Sequence, residues 1–304
     1  MTSSEEAMIM ALTIVHLSDL HWDVIFAENV REWENFCQAL RLMHPDLVIV
    51  SGDLTSTGSH NEKGLQQVRW ALDQMELEYL VVAGNHDLGA NSFRGQHFPV
   101  SEAYENVPWS QTHFFQVFRQ PPVVRWNHQG ITILAFSVRQ HDPDHTLVLL
   151  ESYLTEETTP VLAFGHYPLI RVSHEGPLAT FDSHEYLGET LDDLYRLFYR
   201  FPRVQLYGCG HVHVASRRHL FNRTWQFSAG ALGLGTSQFW VYQVTEEQLL
   251  YYSVLGNGPL TFWNATAAEP PLVEHLDMSQ EGSRFGIQSL TSHIQIPSAA
   301  HQDR

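Results

Sequence analysis

Basic residues are scarce in this chain: 17 lysines and arginines stand against 34 aspartates and glutamates among its 304 residues. The resulting formal net charge of −17 repels nucleic acids and anionic membranes over most of the protein surface. We therefore expect neither a nucleic-acid partner nor a membrane partner. A small anionic substrate is compatible with this charge only where a local feature reverses the field.

Cysteine is almost absent, and long apolar runs are absent altogether. Cys37 and Cys209 are too few and too far apart for a disulfide framework, which fits a reducing compartment. No run reaches the roughly 20 apolar residues that a membrane helix needs. The acidic start MTSSEEAMIM lacks the basic and apolar regions of a secretory signal. Together these absences lead us to expect a cytoplasmic protein.

Histidine, in contrast, is abundant, with 19 residues in the chain. Histidine seldom serves core packing, but it binds metals and transfers protons near neutral pH. So many histidines indicate that some of them form metal-ligating clusters.

The first ninety residues alternate apolar strands with amphipathic helices. The hydrophobic periodicity predicts strands at 11–17, 46–53 and 78–87 and helices at about 29–42 and 61–75. Short connections between alternating strands and helices are typical of parallel pairing. The sequence therefore predicts a fold of the α/β class.

The middle of the chain has a less regular pattern. A hairpin is predicted at 123–138, followed by a helix at 145–154. Strands at 159–168 and 203–213 then flank a helix at about 187–200.

The last third changes character twice. From 214 to about 264, short strands alternate with turns, which predicts an antiparallel sheet. Beyond about 270 the chain becomes polar and loses its periodicity. We therefore predict one domain over residues 1–270 and a polar C-terminal tail over 271–304.

Five predicted strands end in polar residues that can bind a metal. The clusters are Asp19-Leu20-His21, Gly52-Asp53, Gly84-Asn85-His86-Asp87, Gly165-His166 and Gly210-His211-Val212-His213. The carboxyl ends of strands in an open α/β sheet converge on one edge, where sites form. Carboxylate, amide oxygen and imidazole suit Mn, Fe or Zn better than Ca, and one aspartate can bridge two ions. Each cluster alone is also typical of an ordinary turn, but five in this order favour a metal centre.

This series of motifs resembles the calcineurin-like metallophosphoesterase superfamily over residues 12 to 215 or so. The resemblance implies a four-layer α/β fold, in which a β-sandwich of mixed sheets is flanked by helices. It also implies two divalent ions, with Mn or Fe preferred and Zn as the alternative. The implied ligands are Asp19, His21 and His213 for the first ion, Asn85, His166 and His211 for the second, and Asp53 as the bridge between them.

The resemblance also implies roles for the two residues that follow Asn85. His86 would not be a ligand but would protonate the leaving oxygen or stabilise developing charge. Asp87 would orient the His86 imidazole. The implied reaction is attack of a metal-bound hydroxide on phosphorus.

The stretch GDLTSTG (52–58) and the run GNHD (84–87) are similar to the cyclic-nucleotide-phosphodiesterase-like branch. Protein Ser/Thr phosphatases of the superfamily instead carry Asp-Arg-Gly in the first stretch and Glu in the second. We therefore expect hydrolysis of a phosphodiester, with a small nucleotide-like substrate. The alternatives are a phosphomonoesterase or pyrophosphate-bond hydrolase that uses the same ions, or a noncatalytic scaffold with this fold.

Three further polar residues are candidates for substrate binding: Arg94, Arg171 and His174. Each of them could equally be an ordinary surface residue. The stretch QHDPDH (140–145) has the composition of a metal cluster, but Pro143 and the helix that follows favour a turn and a helix cap instead.

Overall fold

The computed structural model describes residues 12–25, 30–88, 107–128, 130–172, 183–233, 238–245, 248–255 and 285–289. These residues contain twelve strands. In chain order the strands are β1 (Leu12–Leu17), β2 (Leu47–Ser51), β3 (Tyr79–Val82), β4 (Val123–His128), β5 (Ile131–Phe136), β6 (Val161–Phe164), β7 (Val204–Cys209), β8 (Ser216–Phe221), β9 (Thr224–Ser228), β10 (Gln238–Val244), β11 (Gln248–Leu255) and β12 (Phe285–Ser289).

Eight α-helices are present in the same described residues, and three of them are a single turn or little more. In chain order they are α1 (Trp22–Ile25), α2 (Val30–Leu42), α3 (Glu62–Asp73), α4 (Asn85–Leu88), α5 (His113–Phe118), α6 (Thr146–Glu156), α7 (Ser183–Leu187) and α8 (Glu189–Arg200). Within the described segments, none of these helices combines the length and the apolar character that a membrane crossing requires.

The strands form two mixed sheets of six strands each. The first sheet has the order β12-β11-β10-β1-β2-β3, with β1, β2 and β3 parallel to one another. The second has the order β4-β5-β6-β7-β9-β8, with β5, β6, β7 and β9 parallel. The central strands are buried along their whole length, which explains why their sequences are continuous apolar runs.

Three apolar clusters hold the sheets and helices together. The two sheets pack face to face through residues such as Ile49 and Phe164. Helices α2 and α3 cover the outer face of the first sheet, with Trp33 fully buried there, and α6 and α8 cover the second through Leu150 and Phe198. The layers are therefore helix, sheet, sheet and helix, which confirms the predicted fold class.

The strands after residue 214 differ from the predicted single antiparallel sheet. The hairpin β8–β9 joins the second sheet, where β9 runs parallel to β7. The hairpin β10–β11 joins the first sheet, where β10 runs antiparallel to β1. The prediction of one antiparallel sheet was wrong because a succession of short strands and turns identifies the strands but not the partners with which they pair.

Strand β12 lies within the segment that was predicted to be a polar tail. Phe285–Ser289 pairs with β11 and forms an edge of the first sheet. The tail prediction for 271–304 is thus wrong for these five residues, since a strand this short leaves little periodicity in the sequence. The domain boundary at 270 stays a prediction.

Candidate metal centre

The five polar clusters follow β1, β2, β3, β6 and β7, which are parallel strands from both sheets. Their carboxyl ends meet at one rim of the sandwich, and hydrogen bonds cross between the sheets there. His211 N donates to Asp19 Oδ2 at 3.0 Å, and Nδ1 of His166 donates to the carbonyl of Ser51 at 2.8 Å. The predicted convergence of the motifs on one rim is therefore present in the structure.

The first group of possible ligands is Asp19, His21 and His213, whose donor atoms all lie within 4.8 Å of one another. Nε2 of His213 is 3.3 Å from Oδ1 of Asp19 and 3.2 Å from Nε2 of His21. Asp19 and His21 are buried, whereas His213 is partly exposed. This is the set that the resemblance implied for the first ion.

The second group is Asp53, His166 and His211, all buried. Nε2 of His166 is 3.4 Å from Oδ2 of Asp53. Oδ1 of Asn85 lies 3.1 Å from that same Nε2 and 3.0 Å from Nδ1 of His211. All seven predicted ligands are therefore in one place.

Asp53 also belongs to a third group, together with His21 and His86. Its carboxylate thus reaches ligand atoms on both sides of the site. This is the position that a carboxylate needs in order to bridge two ions.

Five of the seven residues hold a left-handed backbone that non-glycine residues rarely adopt. Their φ angles are 52° at Asp19, 42° at His21, 48° at Asp53, 70° at His211 and 58° at His213. Each such residue costs on the order of 1–2 kcal/mol, and such strain concentrates at functional sites. The surrounding fold therefore holds the ligand side chains in place against a local backbone preference.

Two buried carboxylates give the centre a strong negative field. Burial would raise the pKa of Asp19, but hydrogen bonding and attraction to His213 lower it to about 2. Burial likewise opposes ionisation of Asp53, yet His166 and His86 hold its pKa well below the ordinary value. Buried charges need partners of opposite sign, and cations at this place would supply them.

His166 shows how the imidazoles are oriented towards such cations. Its Nδ1 donates to the carbonyl of Ser51 at 2.8 Å, so that its Nε2 faces Asp53 and Asn85. Burial lowers the pKa of His166, but the Asp53 and Asp19 carboxylates outweigh burial and raise it to about 9. A metal-ligating histidine commonly donates its other ring N–H to a carbonyl in this way. The donor set and its orientation therefore fit divalent metal ions.

His86 lies beside the ligand groups and is held by the backbone of the 53–58 loop. Its Nδ1 donates to the carbonyl of Ser56 at 3.0 Å. Its Nε2 lies 3.9 Å from Oδ2 of Asp53, and the side chain is 11% exposed. The ring therefore presents Nε2 to the centre.

The Asp87 carboxylate, which was predicted to orient the His86 ring, contacts backbone N–H groups, and a role in orienting that ring stays a prediction. The carboxylate accepts the backbone N–H groups of Leu54 at 3.1 Å, Thr55 at 3.2 Å and Gly84 at 3.0 Å. The two side chains diverge because successive residues of α4 point about 100° apart around the helix. Asp87 thus fastens the loop after β2 to the end of β3.

Gly84 allows β3 to approach Asp53 closely. A Cβ atom at this position would collide with Oδ1 of Asp53 and would lie 2.6 Å from Asp53 N and 2.8 Å from Cε1 of His166. Backbone atoms cannot give way cheaply, so we expect Gly84→Ala to lower metal affinity at least tenfold and to lower the melting temperature. Elemental analysis of the purified variant and thermal unfolding check this.

The matched control for that prediction is Gly64→Ala in α3. Its added Cβ would meet only the side chain of Thr55, whose methyl group is 3.3 Å away, and a small side-chain shift relieves that contact. We expect this control to keep its metal. If Gly84→Ala kept its metal equally well, the close approach would not matter to the centre.

Of the three candidate substrate residues, the structure describes one. Arg171 is exposed in the loop after β6, where Gln226 accepts hydrogen bonds from the backbone of Leu169 and Ile170. Arg94 and His174 lie outside the described residues. A role in substrate binding stays a prediction for all three.

The stretch 140–145 is a helix cap, as predicted. The carboxylate of Asp142 accepts the N–H groups of Thr146 at 2.7 Å and Leu147 at 3.0 Å, at the start of α6. Asp144 forms an ion pair with Arg139 at 2.6 Å. The acidic side chains of this stretch therefore serve local structure.

Sequence reasoning missed Ser56 and Asp23. Ser56 contacts the rings of both His21 and His86, and Asp23 in turn binds Ser56 and Thr57. One of these contacts uses a backbone carbonyl, which every residue type carries, so the sequence could not have indicated it.

Comparison with known proteins gives one family match, described as Calcineurin-like phosphoesterase, over residues 12–215. A probable cyclic nucleotide phosphodiesterase of Moraxella catarrhalis is 26% identical over 220 residues, which cover 68% of this chain and 73% of the relative. A component of the nuclease SbcCD of Staphylococcus saprophyticus is 24% identical over 223 residues, 66% of this chain and 56% of the relative. A dimetal phosphatase of Danio rerio has a similar fold, with a TM-score of 0.57 and 13% identity over 82% of this chain and 96% of its own.

Proposed function

The chain belongs to the calcineurin-like phosphoesterase family, and we propose that it is a dinuclear enzyme that hydrolyses a phosphodiester. The observation that carries this proposal is the place of Asp53, whose carboxylate belongs to ligand groups on both sides of the centre. A second carboxylate, one asparagine and four histidines as further ligands, and His86 complete the proposed phosphoesterase site. A noncatalytic scaffold would have no need for such a set.

The ligand side chains divide between two divalent ions. Asp19, His21 and His213 would hold one ion, and Asn85, His166 and His211 would hold the other, with Asp53 shared. When bound, the ions neutralise the phosphate charge and make hydroxide available near neutral pH. Mixed imidazole and oxygen ligands favour Mn or Fe, with Zn as the alternative.

His86 supplies the proton in this proposal. The Ser56 carbonyl accepts from Nδ1–H, so only the doubly protonated ring of His86 has a proton to transfer, and that proton is on Nε2, which faces the centre. A positioned histidine of this kind protonates the leaving oxygen as the ester bond breaks. The partly buried surroundings of His86 keep its ring in one orientation.

A small, nucleotide-like diester is the substrate we favour. The name of the Moraxella relative points to a cyclic nucleotide and that of the Staphylococcus relative to a nucleic acid. The net charge of −17 favours the small substrate, because a polyanion would meet repulsion over most of the surface. We accordingly propose a small phosphorylated substrate and no nucleic-acid or membrane partner.

The proposal is tested with metal-stripped protein to which Mn²⁺, Fe²⁺, Zn²⁺ or Mg²⁺ is added back. The substrates are bis-p-nitrophenyl phosphate, p-nitrophenyl phosphate, a cyclic nucleotide and a single-stranded oligonucleotide. We expect metal-dependent cleavage of the diester and the cyclic nucleotide. Preference for the monoester would show a phosphatase, preference for the oligonucleotide would show a nuclease, and bound metal without any turnover would show a scaffold.

Arg171 is expected to contribute to substrate binding. We expect Arg171→Ala to raise KM for the diester about tenfold while kcat changes little, the effect of losing one charge-assisted hydrogen bond. Steady-state kinetics measure this directly. Arg196→Ala on α8, which loses an exposed pair with Asp193, is the matched control and should keep its KM. An unchanged KM for Arg171→Ala would remove this residue from the site.

A further inference from the structure

Ser56 contacts two histidines of the centre at once. Its Oγ lies 2.9 Å from Nδ1 of His21, and its carbonyl accepts from Nδ1 of His86 at 3.0 Å. The two rings also pack edge to face, with centroids 5.1 Å apart. One residue therefore contacts both a candidate ligand of the first ion and the candidate proton donor.

Asp23, in α1, fixes the position of this serine. Its Oδ1 accepts the backbone N–H of Ser56 at 2.6 Å, and its Oδ2 accepts the hydroxyl of Thr57 at 2.6 Å. Both bonds are short, as expected for hydrogen bonds to a carboxylate. The Asp23 side chain is half-buried, so it is partly shielded from water.

The rest of the 53–59 loop is attached elsewhere. Asp87 accepts the N–H groups of Leu54 and Thr55, and Ser59 N donates to His86 O at 2.8 Å. These bonds hold the two ends of the loop, whereas Asp23 holds its middle at Ser56 and Thr57. The Thr57 carbonyl also accepts from His60 N at 2.9 Å and Asn61 N at 2.8 Å, so loss of Asp23 would loosen chiefly Ser56, the residue that carries the two histidine contacts.

We propose that Asp23 is a positioning residue that acts through Ser56 on both His21 and His86. The Ser56 hydroxyl orients His21, so that its Nε2 faces Asp19 and His213. The Ser56 carbonyl accepts from Nδ1–H of His86, so that the Nε2 atom of His86 faces the centre. The part of this inference that involves His86 rests on the proposed function. The part that involves His21 needs only metal binding.

Substitutions can separate the two branches of this arrangement, which are the contact of the Ser56 hydroxyl with His21 and the contact of the Ser56 carbonyl with His86. Ser56→Ala removes the hydroxyl and keeps the carbonyl, so it loses only the support of His21. We expect it to weaken metal binding about 10- to 100-fold, the usual effect of removing a partner of a ligand. At saturating metal its kcat should stay within about threefold of wild type, because the support of His86 is intact.

Asp23→Ala should affect both branches. Misplacement of a catalytic group by about 1 Å can cost about 10²-fold in rate, so we expect kcat to fall 10- to 100-fold at saturating metal with KM nearly unchanged. Metal affinity should fall as well. Asp23→Asn keeps an oxygen that accepts from Ser56 N and places an NH₂ group that donates to the Thr57 hydroxyl. It should therefore keep kcat and metal affinity within about threefold of wild type.

Asp46→Ala is the matched control at the opposite end of the first sheet. Oδ2 of Asp46 accepts the backbone N–H of Thr13 at 2.7 Å, so this variant also loses an aspartate bond to a backbone amide. It should lower the melting temperature without changing kcat or metal affinity. If Asp23→Ala behaved like this control, or if Asp23→Asn were as slow as Asp23→Ala, the proposal would be overturned.

Metal affinity is measured by calorimetry on the apoprotein with Mn²⁺, and kcat and KM are measured with a diester whose leaving group is poor, so that protonation by His86 limits the rate. The calorimetric measurement of metal affinity does not depend on turnover. Wild-type protein that binds Mn²⁺ but hydrolyses none of the test substrates would contradict the proposed function. Equal Mn²⁺ affinity of wild type and Ser56→Ala would contradict this inference instead.

Discussion

Replacing Asp53 with asparagine is expected to lower phosphodiester hydrolysis at least 10³-fold and to leave fewer than two metal ions bound. The amide keeps the shape of the side chain but carries no charge and has one oxygen instead of two, so it is a much weaker ligand for cations on both sides. The neighbouring donors remain, including His166, whose Nε2 lies 3.4 Å from the Asp53 carboxylate. Elemental analysis of the bound metal and kinetics at saturating Mn²⁺ measure the two effects.

Asp46→Asn is the control for that experiment. It makes the same chemical change on an exposed aspartate at the far end of the first sheet. We expect it to retain both ions and full activity. A variant at Asp53 that still held two ions and hydrolysed the diester at the wild-type rate would exclude a bridging role for this carboxylate.

Replacing His86 with alanine is expected to leave metal binding intact and to lower kcat 10²- to 10⁴-fold for a diester with a poor leaving group. His86 is outside the two groups that the resemblance implies as ligands, and its Nε2 stands 3.9 Å from Asp53. The loss should be smaller for a p-nitrophenyl ester, because p-nitrophenolate departs without needing a proton. Kinetics with aryl diesters of graded leaving-group basicity measure this difference.

His219→Ala is the matched control for the His86 variant. Nε2 of His219 donates to the carbonyl of Asn222 at 3.0 Å in the exposed hairpin of β8 and β9. The His219→Ala variant therefore also loses a hydrogen bond from a histidine to a backbone carbonyl. This control should be fully active. An equal loss in His86→Ala for good and poor leaving groups would argue against proton transfer and for stabilisation of charge.

The candidate site could be predicted from the sequence because its ligands are local features of the chain. Each ligand motif comes directly after an apolar strand, and the order of the five clusters is the order of the strands that converge at the rim. Residue types such as His166 and Asp53 indicate metal chemistry wherever they are placed close together. The apolar runs, in turn, indicate which strands are buried.

The tertiary structure decided what the local pattern leaves open. The hairpins β8–β9 and β10–β11 follow one another in the chain but belong to different sheets, because pairing depends on the register and burial of their partners. Strand β12 exists through its pairing with β11. Neither outcome is encoded in the composition of the segment itself.

The hydrogen bonds that hold the His86 ring show most clearly what the sequence determines and what only the fold decides. The sequence determined that His86 and Asp87 are neighbours, and adjacency suggested that one orients the other. Only the fold decided that Asp87 binds three backbone amides while the Ser56 carbonyl holds His86. The physical reason is that backbone donors and acceptors are the same at every residue, so the partners of a side chain among them are set by the path of the chain in space.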